Sequence, residues 1–335
     1  MEYRTFGQTG LKISRLGFGV WTVATSWWGV DESLGVDLLR KAFEKGVNFF
    51  DTADTYGDGR GETILAEALG DRRDKIVIAT KFGYDFEHGR REGHKELPQD
   101  FSPAFVRRAV EGSLSRLGTD YIDLYQLHNP RIETIQSDDL FATLEELKAE
   151  GKIRHYAAAL GPDIGWEEEG MASMRERSVL SLQVIYSILE QDPARAFFPV
   201  AQETGTALLA RVPHASGMLD GTYDKDTVFP ETDHRAHRKQ EWLDNSLRRT
   251  SKLDFLYGPS TGRTIAQAAI QFVLAEPTIA SVLPNFLNEA QLIEFTDALD
   301  TPPLTGDELA RIADLYDHDF YVDEPASVES VAQSE

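Results

Sequence analysis

Chemistry in this chain collects where three short apolar runs end on titratable residues. Asp51 closes Val47-Asn48-Phe49-Phe50, and Tyr56 follows it five positions later. Lys81 closes Ile76-Val77-Ile78-Ala79-Thr80, and His128 closes Tyr121-Ile122-Asp123-Leu124-Tyr125-Gln126-Leu127. A short apolar run that gives way to polar residues and then a helix reads as a buried parallel strand leaving its sheet. In α/β folds the chemistry sits at the carboxyl ends of such strands. What these residue types offer together is proton transfer to or from oxygen. A tyrosine phenol ordinarily ionises at about pH 10, and an ammonium within hydrogen-bonding reach favours the phenolate. Lys81 supplies the ammonium, Asp51 holds it charged and in place, and His128 hydrogen-bonds a substrate oxygen or relays its proton. Such a site protonates an alkoxide as hydride arrives, or deprotonates an alcohol in reverse.

Each of these residues also has an ordinary structural explanation. An aspartate after a strand often caps a turn, and a tyrosine can be buried with its hydroxyl on a backbone partner. Lys81 could be a surface lysine, although a β-branched strand precedes it. His128 shares a strand face with Ile122, Leu124 and Gln126 and could be a core histidine. It is the set, at successive strand ends, that carries the catalytic reading. Asp54 and Glu62 raise a second possibility, the paired carboxylates of a glycosidase. They are better explained by a turn and by the first turn of a helix, where negative charge is favoured. His234 and His237 stand three apart beside arginines, and cationic neighbours disfavour a dication. No metal site is expected.

The elements that must position this set alternate regularly. A hairpin is expected over residues 3–14, around a glycine-containing turn, and a first strand over 16–20. Helices are expected over 31–45, ended by Gly46, and over 61–69, ended by Gly70. Ser102-Pro103 opens another helix, since proline suits the first helical position, and Gly118 closes it. Residues 138–150 form the next helix, and further strands are expected over 153–158, 180–185, 206–210 and 279–283. Helices over 264–274 and 305–316 complete the chain. Eight strands with intervening helices predict an α/β fold, a (β/α)8 TIM barrel with an N-terminal β-hairpin and an extra C-terminal helix. A single domain over 1–321 is expected, with 322–335 a disordered acidic tail. The stretch 83–101 reads as a polar surface loop, charged over 87–96 and able to act as a lid. The Gly17-Phe18-Gly19 pair lacks the third glycine and the helix of a Rossmann fingerprint. Trp21 follows the first strand and is expected to wall the pocket, with Trp27 and Trp28 nearby.

The wording around the four residues, Gly46-Val47-Asn48-Phe49-Phe50-Asp51-Thr52-Ala53-Asp54-Thr55-Tyr56-Gly57, then Ala79-Thr80-Lys81, then Asp123-Leu124-Tyr125-Gln126-Leu127-His128, resembles the aldo-keto reductases. The resemblance runs from about residue 3 to about residue 316. It implies a barrel that binds NADP or NAD without a Rossmann domain and interconverts an aldehyde or ketone with its alcohol. Asp51, Tyr56, Lys81 and His128 match the family's tetrad. Trp21, Asp51, Gln183, Arg211, Pro213, His214, Ser216, Gly217, Pro284, Asn285, Leu287 and Gln291 match its cofactor positions. The cofactor region departs from the family's pattern at three places. Ala159 and Leu160 stand where relatives have a Ser-Asn pair for the nicotinamide carboxamide, leaving Gln183 as the retained side-chain anchor. Arg211 replaces an aromatic residue that stacks on the nicotinamide; it either stacks there itself or turns to an acid such as Asp163 or Glu190. Asn285 and Leu287 replace basic residues around an adenosine 2′-phosphate, and Phe295 replaces a common asparagine near the adenine. Nothing basic is left in that segment, which favours NAD unless Arg248, Arg249 or Arg263 reaches the site. A regulatory subunit that binds the nicotinamide cofactor with little turnover is the alternative reading.

Composition narrows the partners. The chain has 335 residues, 41% hydrophobic and 27% charged, with a net charge of −22 and no cysteine. That charge argues against a nucleic-acid backbone as partner, while a dinucleotide needs only a local pocket. Without cysteine there is no thiol nucleophile, thiolate metal site or disulfide, which fits a cytoplasmic protein. No apolar run reaches membrane-spanning length. A small-molecule carbonyl or alcohol is the expected partner, and the sequence leaves the oligomeric state open.

Overall fold

The computed structural model describes residues 1–322 apart from 26–30, 88–96, 163–165, 232, 234 and 237. Trp27, Trp28, Asp163, His234, His237, nearly all of the charged loop and the 323–335 segment therefore lie outside the described residues. The chain opens with the expected hairpin, β1 (Tyr3–Thr5) and β2 (Lys12–Ser14), antiparallel with Tyr3 opposite Ser14.

Eight strands then form one parallel sheet in sequential order. They are β3 (Phe18–Gly19), β4 (Phe49–Asp51), β5 (Val77–Phe82), β6 (Ile122–His128), β7 (Ile153–Ala159), β8 (Ser181–Ile185), β9 (Ala207–Arg211) and β10 (Ile279–Leu283). The last strand returns to the first. Leu16 bridges to Val282, the Gly17 amide donates to the Val282 carbonyl at 2.9 Å, and the Val282 amide donates to the Arg15 carbonyl at 2.9 Å. Closure of a parallel sheet with helices between its strands is the (β/α)8 barrel.

The helices are α1 (Trp21–Ala24), α2 (Glu32–Glu44), α3 (Arg60–Leu69), α4 (Pro103–Leu117), α5 (Ile132–Ile135), α6 (Asp138–Ala149), α7 (Glu167–Arg175), α8 (Ala194–Thr204), α9 (Gln240–Thr250), α10 (Ile265–Ala275), α11 (Glu289–Asp297) and α12 (Gly306–Asp317). Their starts follow capping chemistry. The Asp31 side chain accepts from Ser33 N, and Ser102 Oγ accepts from Phe105 N with Pro103 next in line. Reciprocal capping boxes open α10 at Thr264 and α12 at Thr305. Gly118, at φ 62°, ends α4 in the left-handed region. Sequence pattern places neither the turn-long helices α1 and α5 nor the helices α7, α8, α9 and α11. In α9 only Leu243 and Ser246 are buried, so an apolar stripe too thin to read leaves the segment looking like loop.

Strand periodicity decides what faces the barrel axis. One apolar cluster fills the lower interior with Phe49 of β4, Val77 and Ala79 of β5, Leu124 of β6, Ala157 of β7 and Leu209 of β9. Phe6 and Ile13 of the hairpin region pack into the same cluster. The alternate residues, such as Phe50, Ile78, Leu182 and Val184, join the larger core between strands and helices. Two residues further along the inward series stand Asp51, Lys81, Gln126 and Arg211, and inward-facing Gln183 alternates with Leu182 and Val184. The strand period alone thus sets a polar layer on top of an apolar plug. Each large apolar side chain removed from water contributes roughly 1.5–3 kcal/mol, so the plug and outer core can offset the cost of that layer.

Candidate active site

Lys81 is the hub of the polar layer. Its side chain is 1% exposed, which removes the surface-lysine explanation. The ammonium donates to Asp51 Oδ1 at 2.5 Å, to the Thr52 carbonyl at 2.9 Å and to the Tyr56 hydroxyl at 3.3 Å. Burial is the largest single influence on Lys81 and pulls its pKa down, but Asp51 and Tyr56 outweigh it and the net shift is upward. The ammonium therefore stays charged inside the barrel. The turn that carries Tyr56 is fixed by backbone bonds, with Thr52 N on the Ala79 carbonyl at 2.8 Å and Gly61 N on the Tyr56 carbonyl at 2.8 Å. Gly61 must lack a side chain, since a Cβ there would meet Thr52 Oγ1 at 2.4 Å.

His128 joins the set from the top of β6. Its ring lies edge-on to Tyr56, 6.0 Å between centroids, and edge-on to Tyr84 at 5.0 Å. Gln99 donates to the backbone carbonyls of His128 and Asn129, and Asn129 Nδ2 donates to the Tyr84 hydroxyl at 2.9 Å. Burial, then the charges of Lys81 and Arg211, holds the His128 pKa well below its ordinary value. The imidazole is neutral, with Nδ1 buried and without a hydrogen-bond partner among the described residues. A neutral imidazole offers one N–H to a substrate oxygen.

Sequence reasoning missed Gln126. Its Nε2 donates to Asp51 Oδ2 at 2.8 Å, beside Gln183 Nε2, which donates to the same oxygen at 2.9 Å. The inward series Leu124, Gln126, His128 was the available signal. Gln183, expected to anchor a carboxamide, is thus bound to the tetrad carboxylate.

Asp54 and Glu62 do not face an open site. Glu62 is fully buried and accepts from Thr80 Oγ1 at 2.6 Å and from Arg116 Nε at 2.6 Å. Asp54 is buried too, and burial followed by the Glu62 charge drives its pKa well above the carboxylate range. Sealed in this way they cannot flank a glycosidic bond, and the hydrolase reading is set aside. Among the described residues no cluster of histidine and acidic side chains could hold a metal.

Arg211 ends β9 opposite Ile185. Its Nη2 donates to the Leu160 carbonyl at 2.9 Å. Burial lowers its pKa, opposed by the charges of Tyr56, Asp51 and Glu190. Its hydrogen-bond partner is therefore a backbone carbonyl rather than the Glu190 carboxylate, whose influence is electrostatic. Asp163 lies outside the described residues. Ala159 ends β7 and Leu160 follows it, both buried and without side-chain polar atoms.

The remaining cofactor candidates converge beyond β9. Pro213, His214, Ser216, Gly217, Asn285, Leu287 and Gln291 line one cavity of about 40 Å³ with Phe295, Tyr223 and Arg235. The turn that forms its floor is strained. Val212, Ala215 and Ser216 have φ of 58°, 48° and 58°, and Gly217 follows at 95°. Left-handed backbone at a valine is rare, and such strain clusters at ligand-binding turns. A Cβ on Gly217 would meet Tyr223 at 2.7 Å and Arg235 Nη1 at 2.9 Å. Gln291 Oε1 accepts from Leu287 N at 3.0 Å, and Asn288 caps α11. Pro284 accepts from Gly19 N at 3.4 Å, and Trp21 opens α1 directly after β3 and Val20.

Segment 284–291 carries no basic residue, as read from the sequence, and none of Arg248, Arg249 and Arg263 lines this cavity. Arg248 is bound to Asn245, Arg249 to Asp319 at 2.6 Å, and Arg263 to Glu308 and the Leu256 carbonyl. Arg235 lines the cavity instead. It is buried against Asp233 through two bonds and donates to the Ser216 carbonyl at 2.9 Å and the Tyr223 hydroxyl at 2.8 Å. Its loop has no periodicity that a sequence reading could use.

Known proteins supply the same picture. Residues 15–317 match the aldo/keto reductase family. The uncharacterized oxidoreductase YqkF of Bacillus subtilis is 30% identical over 323 residues, covering 96% of this chain and 98% of that protein. An NADH-specific methylglyoxal reductase of Escherichia coli is 30% identical over 319 residues, covering 89% and 94%. The holo form of the aldo-keto reductase AKR11C1 from Bacillus halodurans superposes with a TM-score of 0.77 at 31% identity, covering 94% of this chain and 96% of that one. Sequence and barrel thus agree over nearly the whole length, and the chain belongs to the aldo/keto reductase family.

Proposed function

We propose that this protein interconverts an aldehyde or ketone and its alcohol, with a nicotinamide dinucleotide as hydride partner and Tyr56 as general acid/base. The observation that carries the proposal is the buried Lys81 ammonium bridging Asp51 and the hydroxyl of the part-buried Tyr56. The bound dinucleotide supplies or accepts the hydride. Tyr56 gives its proton to the oxygen in reduction and takes it back in oxidation. Lys81 stabilises the phenolate left behind, and Asp51 keeps Lys81 charged. Neutral His128 donates one N–H to the same oxygen and orients it.

The chain's own residues fit such a dinucleotide. The strained turn at 212–217 and the required glycine at 217 form the kind of backbone concavity that takes a pyrophosphate. Pro284, Asn285, Leu287 and Gln291 would flank the adenosine, and Arg211 and Gln183 the nicotinamide. Ser216 also lines a cavity of about 540 Å³ that includes Leu160 and Ile185, so a dinucleotide is not confined to the smaller cavity. NADH is favoured over NADPH on two grounds. Asn285 and Leu287 are neutral, and Arg235 is already bound to a carboxylate that a 2′-phosphate would have to replace.

The test is NADH oxidation by purified protein across a panel of aldehydes and ketones. Carbonyl-dependent oxidation is expected. Cofactor binding with no turnover on any carbonyl would favour the regulatory-subunit reading.

A further inference from the structure

We infer that Gln126 is a positioning residue: its amide holds Asp51 and Gln183 in register, and so joins the proton-transfer tetrad to the nicotinamide end of the cofactor site. The inference rests on the function proposed above and assigns Gln126 a task that the tetrad alone does not require.

The geometry leaves the two glutamines little choice. An ionised carboxylate only accepts hydrogen bonds, so Gln126 and Gln183 must both turn Nε2 toward Asp51 Oδ2, at 2.8 and 2.9 Å. Gln183 Nε2 also lies 3.5 Å from Gln126 Oε1, so Gln126 faces both partners. With its nitrogen committed, Gln183 has its carbonyl oxygen to offer an incoming amide N–H. That orientation matters more here than in a site with other side-chain anchors. Ala159, beside Gln183 in the β7–β8 register, and Leu160 carry no polar side-chain atom.

Gln126 also acts on proton transfer through Asp51. The carboxylate divides its charge between Oδ1, which takes Lys81, and Oδ2, which takes the two amides. Remove the Gln126 donor and more charge is left for Lys81. The ammonium then settles on Asp51 at the expense of its longer bond to the Tyr56 hydroxyl, 3.3 Å. All members of this fork are buried, so water cannot readily replace a lost donor.

Gln126→Met keeps length and volume while deleting the donor. Two readouts separate positioning from packing: the dissociation constant for NADH measured without substrate, and the pH profile of carbonyl reduction. The dissociation constant is expected to rise about fivefold to tenfold. The alkaline limb of kcat is expected to move up by about one pH unit. Gln126→Glu guards against misfolding of the first variant. Buried against the Asp51 carboxylate, the new acid keeps its proton and donates as the amide did; activity is expected to fail at a lower alkaline pH than in wild type, as the acid ionises, and to recover as the pH falls. A Gln126→Met protein with both readouts at wild-type values overturns the inference, whatever its melting temperature, and so does a Gln126→Glu protein without acid recovery. Failure of the proposed function looks different. Wild-type protein would then reduce no carbonyl, while weaker NADH binding in Gln126→Met would still support the fork.

Discussion

Cutting the buried pair at the centre of the barrel from either side gives a quantitative check on how the polar layer is held. Lys81 and Asp51 are almost wholly buried, with Nζ and Oδ1 2.5 Å apart. At an effective dielectric of about 20 their attraction is about 7 kcal/mol, an upper figure that desolvation of both groups reduces. Removing one member of a buried pair usually costs about 3–5 kcal/mol, because the other charge is stranded. The two sides differ here. In Lys81→Met, Asp51 keeps the Gln126 and Gln183 amides, so the loss should be at the low end, about 3 kcal/mol. In Asp51→Asn, Lys81 keeps only the Thr52 carbonyl and the Tyr56 hydroxyl. The new amide must also aim its NH2 at a ring of donors, so about 5 kcal/mol is expected. Urea unfolding of both single variants and the double variant at pH 7 closes the cycle. The double variant should be more stable than the sum of the losses implies by about 2 kcal/mol or more. Losses that simply add, within about 0.5 kcal/mol, would refute direct coupling of these groups.

Arg211→Tyr should lower the ratio of the oxidised to the reduced cofactor's dissociation constants by about tenfold, since a guanidinium on a cationic ring costs up to about 4 kcal/mol. An unmoved ratio would mean that Arg211 is not over the nicotinamide. Equilibrium binding should give NADH an affinity equal to or above that of NADPH. A large NADPH preference that Arg235→Leu abolishes would show that Arg235 serves a 2′-phosphate. His214 is packed on Phe295 with its pKa lowered by burial to about 4, so the folded state binds its proton less readily than the unfolded chain. Stability therefore falls as pH drops below about 6.5, and His214 alone should remove about 2 kcal/mol between pH 7 and pH 5. Urea midpoints for wild type and His214→Gln test it, and an unchanged acid slope in the variant would contradict it. His128 acts in the same direction.

Much of the barrel and the clustering of Asp51, Tyr56, Lys81 and His128 was legible because both rest on one regularity, an apolar strand ending on a polar residue. Lys81 is the clear case. Val77 and Ala79 set the inward face, and the next inward residue must meet what the neighbouring strand brings, Asp51. Gln126 obeys the same period but sits between Tyr125 and Leu127, so it reads as core. Its partner is two strands away. Arg211 was visible as an anomaly, yet its hydrogen-bond partner is a backbone carbonyl, which no pairing of side-chain charges can find. Arg235 was hidden for another reason. Arg235 is held by its own bonds to Asp233, Tyr223 and Ser216, and such a loop residue carries no hydrophobic period. The left-handed Val212 is also illegible, since valine is among the residues least suited to that backbone.

The central claim is that the Tyr56 hydroxyl moves the proton, and Tyr56→Phe measures it most directly. The variant deletes one oxygen and leaves Lys81 its bonds to Asp51 and the Thr52 carbonyl. Its melting temperature and NADH affinity should stay close to wild type. Carbonyl reduction, followed as single-turnover NADH oxidation, should fall by about 10²- to 10⁴-fold, the range of a general acid. A variant that binds NADH normally and still reduces the same carbonyl within a few-fold of wild type would contradict the account.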